Sequence, residues 1–174
     1  MRMNDRMRIL MGAELPSVRS DDAPPAYRAI AEEGWTVTAN GACLLSVLAD
    51  GYSGTSTEFG DIVHFEASVN GRAMMDYDLP AVGSERQNRL LRRSIAYACL
   101  ALQAVPEGNE HPVFGYVSLS EGGLMGDTLT SNVTFCTRRP DVPPYVGRIQ
   151  DYAYEALLEL SGGDAEKCLS GHTV

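Results

Sequence analysis

The chain of 174 residues has no apolar run near the roughly 18 residues that span a bilayer, so no transmembrane helix is expected. Its opening stretch, MRMNDRMRILMGAEL, carries arginines but no apolar h-region, so no secretory signal is expected and a cytoplasmic location follows as the default. The 4 cysteines, Cys43, Cys99, Cys136 and Cys168, include no CxxC pair, which argues against a zinc ribbon. Without a secretion signal they read as reduced thiols, mostly filling core positions. The 3 histidines, His64, His111 and His172, show no metal-ligand spacing, so neither a metal nor a cofactor is expected. Positive charge is also short. With 14 Lys and Arg against 23 Asp and Glu, the formal net charge is -9. A nucleic-acid partner requires a basic face and an anionic membrane attracts one, so neither is expected as a partner.

Catalytic signatures are incomplete. Gly51 and Ser53 begin a G-x-S-x-G elbow, but its closing position is Thr55. The glycines of EGGLMG precede a β-branched stretch rather than a helix, and nothing matches G-x-x-x-x-G-K-[ST], so a phosphate cradle is not expected. Cys136 paired with His64 across a sheet would make a thiol nucleophile, but a packed strand cysteine is the simpler reading. Asp76 and Asp78 would point the same way on a strand, as outward, solvated charges. No residue is therefore assigned a catalytic role, and a small hydrolase using Cys136 or Ser53 remains the enzymatic alternative.

Patterned segments make up most of the chain. Residues 1–20 read as a flexible basic arm, 21–162 as a single α+β domain and 163–174 as a loose tail. SDDAPPAYRAIAEEGW predicts a first helix, capped by Asp21 or Asp22 and stopped by Gly34. Asn40-Gly41 predicts a hairpin turn. It is followed by ACLLSVLA, read as a central strand or as a helix capped by Asn40. In DIVHFEASVNGRAMMDYDL, Val63, Phe65, Ala67 and Val69 alternate, as do Ala73, Met75, Tyr77 and Leu79. A bulged three-residue loop with Gly71 in or beside the left-handed position would put all eight on one face. GSERQNRLLRRSIAYACLALQAVPEG predicts a long helix with a Ser84/Gln87 capping box and a stripe of Leu91, Ile95, Ala98, Cys99 and Leu102. Arg86, Arg89, Arg92 and Arg93 form a solvated face near its start. Residues 113–139 read as two alternating strands and their turn. DVPPYVGRIQDYAYEALLELSGG predicts a last helix. The fold class expected is α+β: an antiparallel sheet with helices packed on one face, in the order helix, three or four strands, long helix, strand hairpin, helix.

This order resembles the type III secretion chaperone family of bacterial proteins. The resemblance is carried by AIAEEGW, IVHFEASVNGRAMMDYDLP, RLLRRSIAYACLAL, PVFGYVSLSEGGLMGDTLT and VGRIQDYAYEALLEL. It implies a homodimer without an active site that binds an extended segment of a partner protein along apolar grooves. Strand edges and outward residues such as Ile62, His64 and Met74 would accept that segment. Leu90, Tyr97 and Leu100 lie off the main stripe of the long helix, and a helix apolar on two faces packs on two sides, so they form the expected dimer interface. The alternative is an acidic inhibitor or immunity-type protein that blocks a basic site on its partner.

Overall fold

Two nine-residue strands, β5 (Val113–Glu121) and β6 (Leu129–Thr137), pair antiparallel along their whole length, from Val113 opposite Thr137 to Glu121 opposite Leu129. They are the alternating strands expected from the sequence. The computed structural model describes residues 1–12, 16–121 and 128–170, so the turn expected within EGGLMG falls largely outside the described residues. Three shorter strands complete an antiparallel sheet in the order β1-β7-β5-β6-β4: β1 (Arg2–Met3), β4 (Arg72–Ala73) and β7 (Ala156–Leu160). A separate hairpin joins β2 (Trp35–Val37) to β3 (Cys43–Leu45) through the expected Asn40-Gly41 turn. Gly41 sits there at φ +83°, a conformation that favours glycine. β3 is short, and its apolar run continues as helix α3 (Ser46–Asp50) rather than as strand.

Helices α1 (Asp5–Met11), α2 (Pro25–Glu32), α4 (Ile62–Val69), α5 (Ser84–Gln103) and α6 (Gly162–Ser170) make this an α+β fold. α5 crosses β5 and β6 with Leu91, Ile95, Ala98, Cys99 and Leu102 buried, as its stripe predicts. The approach is close: a Cβ on Gly115 would sit 3.2 Å from Phe135 and 3.3 Å from Leu102. The helix starts at Ser84 behind Gly83, without the side-chain cap expected of Ser84 and Gln87. α2 starts at Pro25, a residue pre-set for a first helical position, and Gly34 follows its end at φ +73°. Asp22 belongs to a preceding 3-10 turn and pairs with Arg92 instead of capping α2.

The second apolar face of α5 is covered by the chain itself. Leu90 and Tyr97 are fully buried, and Leu100 is half-buried against the same core. Tyr97 packs edge-on to Tyr27 of α2 at 5.1 Å and to Phe135 of β6 at 5.6 Å. Leu90 and Tyr97 are therefore interior positions and not surface available to a second chain, while Leu100 keeps part of its surface exposed. The arginines of α5 are likewise engaged. Arg86 binds Asp76 and the Leu129 carbonyl, Arg93 binds Asp78 and the Met75 carbonyl, and Arg89 pairs with Glu85. Asp76 and Asp78 thus hold the 74–80 loop to α5; they lie in that loop rather than on a strand, and Asp78 stays exposed.

The segment read as a bulged hairpin is mainly helix α4. Asp61 caps it, its Oδ1 accepting the His64 amide hydrogen at 2.8 Å. The strand-like alternation has a helical cause. Residues two apart on a helix lie about 200° around its axis, so a helix covered on opposite sides buries every second residue. Val63 and Ala67 face one apolar cluster with Tyr116, Cys136 and Leu157, while Phe65 and Val69 face the main core. Gly71 is not left-handed; its Cβ position lies 3.1 Å from the Ala67 carbonyl oxygen. Met75 is half-buried and Tyr77 is 85 % exposed, so neither shares a buried row with Val63 and Phe65.

The described residues of both terminal segments are docked where a flexible arm and a loose tail are expected. Arg2 and Met3 pair with β7, and Met7 of α1 is fully buried. Ala165 and Cys168 of α6 are buried against α5. The segment read as the last helix holds a 3-10 turn at Ile149–Asp151 and then β7, buried at every position between β1 and β5. The heavily apolar ALLEL fits a strand covered on both faces.

Two buried polar side chains, Glu66 on α4 and Asn70 at its C-cap, join the sheets. Glu66 is 0 % exposed. It accepts hydrogen bonds from the Cys43 amide at 2.9 Å, the Thr137 amide and hydroxyl, each at 2.7 Å, and the Arg139 guanidinium at 3.1 Å. Asn70, one turn on, accepts from the Leu45 amide at 2.9 Å and donates to the carbonyls of Cys43 and Phe135, each at 3.1 Å. Glu66→Ala would leave the Cys43 and Thr137 amides without their acceptor and Arg139 without its countercharge, and is expected to cost about 3–5 kcal/mol of stability in urea unfolding. The opposite sign is expected at Tyr97, whose hydroxyl is the one buried side-chain polar atom without a hydrogen-bond partner among the described residues. Tyr97→Phe removes that unpaired group and should raise stability by about 1 kcal/mol in the same measurement.

Candidate functional site: a tyrosine-lined pocket on the sheet

On the sheet face opposite α5, the side chains of β5 and β6 meet in cross-strand pairs, Tyr116 with Thr134 and Ser118 with Asn132. α4 and residues 142–152 cover part of this face. Between these covers lies a pocket of about 190 Å³. Tyr116, Ser118, Asn132 and Thr134 contribute to its floor, His64 and Tyr145 line one side, and Val146, Tyr152, Glu155 and Leu157 complete the lining. Tyr145 stands edge-on to Tyr116, with ring centroids 5.2 Å apart and planes at 65°. The His64 ring meets Tyr145 at 5.8 Å and 67°.

Each wall is fixed by hydrogen bonds. His64 Nδ1 lies 2.9 Å from Asp61 Oδ2, the carboxylate that also caps α4. The Thr134 hydroxyl donates to the Ala67 carbonyl, joining β6 to α4. Asn4 holds the other wall. Its amide donates to the carbonyls of Tyr152 at 2.9 Å and Glu155 at 2.7 Å, while its Oδ1 accepts from the amides of Leu157 and Met7, each at 3.0 Å. One buried side chain thus caps α1, meets β7 and ties down the loop that carries two lining residues.

Burial raises the pKa of the Tyr116 and Tyr145 phenols, so both remain neutral hydrogen-bonding groups near pH 7. Burial also pushes up the Cys136 thiol, with Glu66 adding to the effect. A protonated thiol is a poor nucleophile. The Cys43 thiol is pushed up to about 11, by burial and then by Glu66. All four cysteines are free and buried.

Of the residues expected to contact a partner, the fold brings only His64 to this pocket. Ile62 is half-buried on the first turn of α4. Met74 is buried, and its amide donates to the Ser131 carbonyl at 2.8 Å, extending the β4 pairing. Ser53 is exposed in the loop after α3, apart from the pocket lining. Sequence reasoning missed Tyr116, Tyr145, Tyr152 and Glu155. Tyr116, Ser118, Asn132 and Thr134 had a legible signal, because alternation puts them on one face of the β5–β6 hairpin. Tyr145 and Tyr152 lay hidden in the segment read as a helix. No helix among the described residues is long and apolar enough to cross a membrane, and no group of three or more metal-ligating side chains occurs among them. Comparison with protein-family models, curated proteins and solved structures found no match.

Beside the pocket, on the same face, Glu159 is buried between two arginines, 2.6 Å from Arg2 and 2.9 Å from Arg138. Burial opposes its ionisation, but the hydrogen bonds from Arg2 and Arg138 outweigh burial and hold the carboxyl below its ordinary value of 4.5. A depressed carboxyl contributes stability that is complete above the unfolded-state pKa and is lost as pH falls through the folded-state value. Thermal unfolding should therefore show stability declining below about pH 4.5, and Glu159→Gln should flatten part of that decline while lowering stability at neutral pH.

Proposed function

We propose that the protein is a non-catalytic module that binds a partner protein on the open part of this sheet face, with the tyrosine-lined pocket as its anchor. The size of the pocket carries this reading. Sites for cofactors and drug-sized ligands occupy roughly 300–1,000 Å³, whereas about 190 Å³ suits one inserted side chain. The face continues from the pocket residues Ser118 and Asn132 to Ser120 and Thr130, all exposed or half-exposed. Such a polar surface stays solvated in the free protein and still offers hydrogen bonds to a chain laid across it.

An extended partner segment is better accommodated on this face than along an edge. At the sheet edges, β1 and β4 have two residues each, leaving little ladder for strand addition. The net charge of -9 favours a basic partner and would speed its association. The hydrolase alternative finds a fragment in the Asp61–His64 pair, but the Cys136 thiol is held protonated.

Selection of a random peptide library on the immobilised protein tests the proposal. Enriched peptides should be basic, lose binding when Tyr152 is changed to alanine, and keep part of their affinity in raised salt. An acidic inhibitor acting by charge alone would instead lose binding sharply with salt. A selection that enriches no peptide overturns the proposal.

A further inference from the structure

We infer that the occupant of the pocket is one cationic side chain of the partner, best an arginine, seated against the tyrosine rings and paired with Glu155. This inference rests on the protein-binding reading and specifies the chemistry of its anchor. Three tyrosines line a space sized for one side chain. The Tyr116 and Tyr145 rings stand at 65° to each other and His64 at 67° to Tyr145, so aromatic surfaces bound the space from different directions. Aromatic faces carry negative electrostatic potential and attract ammonium and guanidinium groups within about 6 Å.

Glu155 supplies the countercharge. It lines the pocket and enters none of the ion pairs among the described residues. Its charge reaches the Tyr145 phenol, adding to the rise caused by burial, Cys136 and Tyr152. The charged groups beside the pocket already have partners of their own: Arg2 and Arg138 share the Glu159 carboxylate, and the His64 ring is hydrogen-bonded to Asp61, so neither a guanidinium nor the imidazole is ion-paired with Glu155. The Ser118 hydroxyl and the Asn132 carboxamide oxygen add neutral acceptors to the lining. A guanidinium has five donors in a planar fork, which fits one carboxylate, neutral acceptors and a ring face together.

Three probes of nearly equal size separate charge from shape: the Nα-acetyl amides of arginine, lysine and citrulline, the last a neutral isostere of arginine. Each is titrated into the full chain while the tyrosine and His64 ring resonances are followed by NMR. The arginine probe should shift the pocket rings and bind about tenfold more tightly than the citrulline probe, with lysine between them. Tyr152→Leu, which keeps apolar bulk but removes the ring, and Glu155→Gln should each weaken the arginine probe about tenfold. Both residues lie at the edge of the covered region, and unchanged amide spectra elsewhere verify the fold. Equal binding of citrulline and arginine overturns the inference, as does arginine binding insensitive to both variants. If peptides from the library bind through Tyr152 but no probe moves the rings, the anchor chemistry is wrong and the binding module stands. If the library also yields nothing, the functional reading itself falls.

Discussion

Glu66 and Asn70 close a gap that the backbone leaves open. The small β2–β3 sheet and the large sheet do not pair with each other. Between them runs α4, and from it these two side chains satisfy backbone groups of Cys43 and Leu45 on β3 and of Phe135 and Thr137 on β6. They do the work of a strand between two strands, from a helix. Glu66 also binds Arg139, whose guanidinium reaches on to the Gly41 carbonyl at 2.6 Å, so the hairpin turn is fixed by the same charge. Such groups are strongly destabilising when one partner is lost, because each remaining group is already out of water. The position of α4 follows from them, and with α4 come Val63 and Ala67 over the sheet and His64 at the pocket.

Asn4 repeats the device on the far side of the same sheet face. Its four hydrogen bonds connect α1, β7 and the loop between Tyr152 and Glu155. The pocket is thus held between two polar anchors, one setting α4 and the other setting the loop. Neither Tyr152 nor Glu155 belongs to a helix or strand, yet the backbone beside each accepts a hydrogen bond from a buried amide. A loop held this way can present a ring and a carboxylate with less entropy to lose on binding than a free loop would have.

The sequence made elements with one covered face legible and obscured those covered on both. β5 and β6 alternate cleanly, and α5 carries a stripe that its Gly and Pro punctuation delimits. α4 and β7 are buried on opposite sides. Burial on two sides turned the helical period of α4 into an apparent alternation, and it filled β7 with leucines that suit either a strand or a helix. The covering of α5 by α2 and α6 likewise made Leu90 and Tyr97 look like surface available to a second chain. Of the site, His64 and the floor residues of β5 and β6 could be placed by alternation. Tyr145, Tyr152 and Glu155 could not, because their positions depend on long-range bonds to Asn4 and on packing against β5, which local patterns do not encode. Glu66, Asn70 and Asn4 left no local signal either; in sequence they are ordinary polar residues.

The charge distribution links architecture to binding. Many of the arginines serve the chain internally: Arg86, Arg92 and Arg93 hold loops to α5, Arg139 closes the Glu66 site, and Arg2 and Arg138 share Glu159. Acidic residues outnumber basic ones by 23 to 14, so internal pairing consumes the cations first and leaves the surplus as negative charge. That surplus acts at long range and is screened within roughly 8–10 Å by physiological salt. The pocket acts at contact, where rings and a single carboxylate are shielded by protein on several sides and salt has less effect. In the proposed binding mode, long-range attraction would govern encounter with a basic partner, while the aromatic walls of the pocket would govern how long one of its side chains stays.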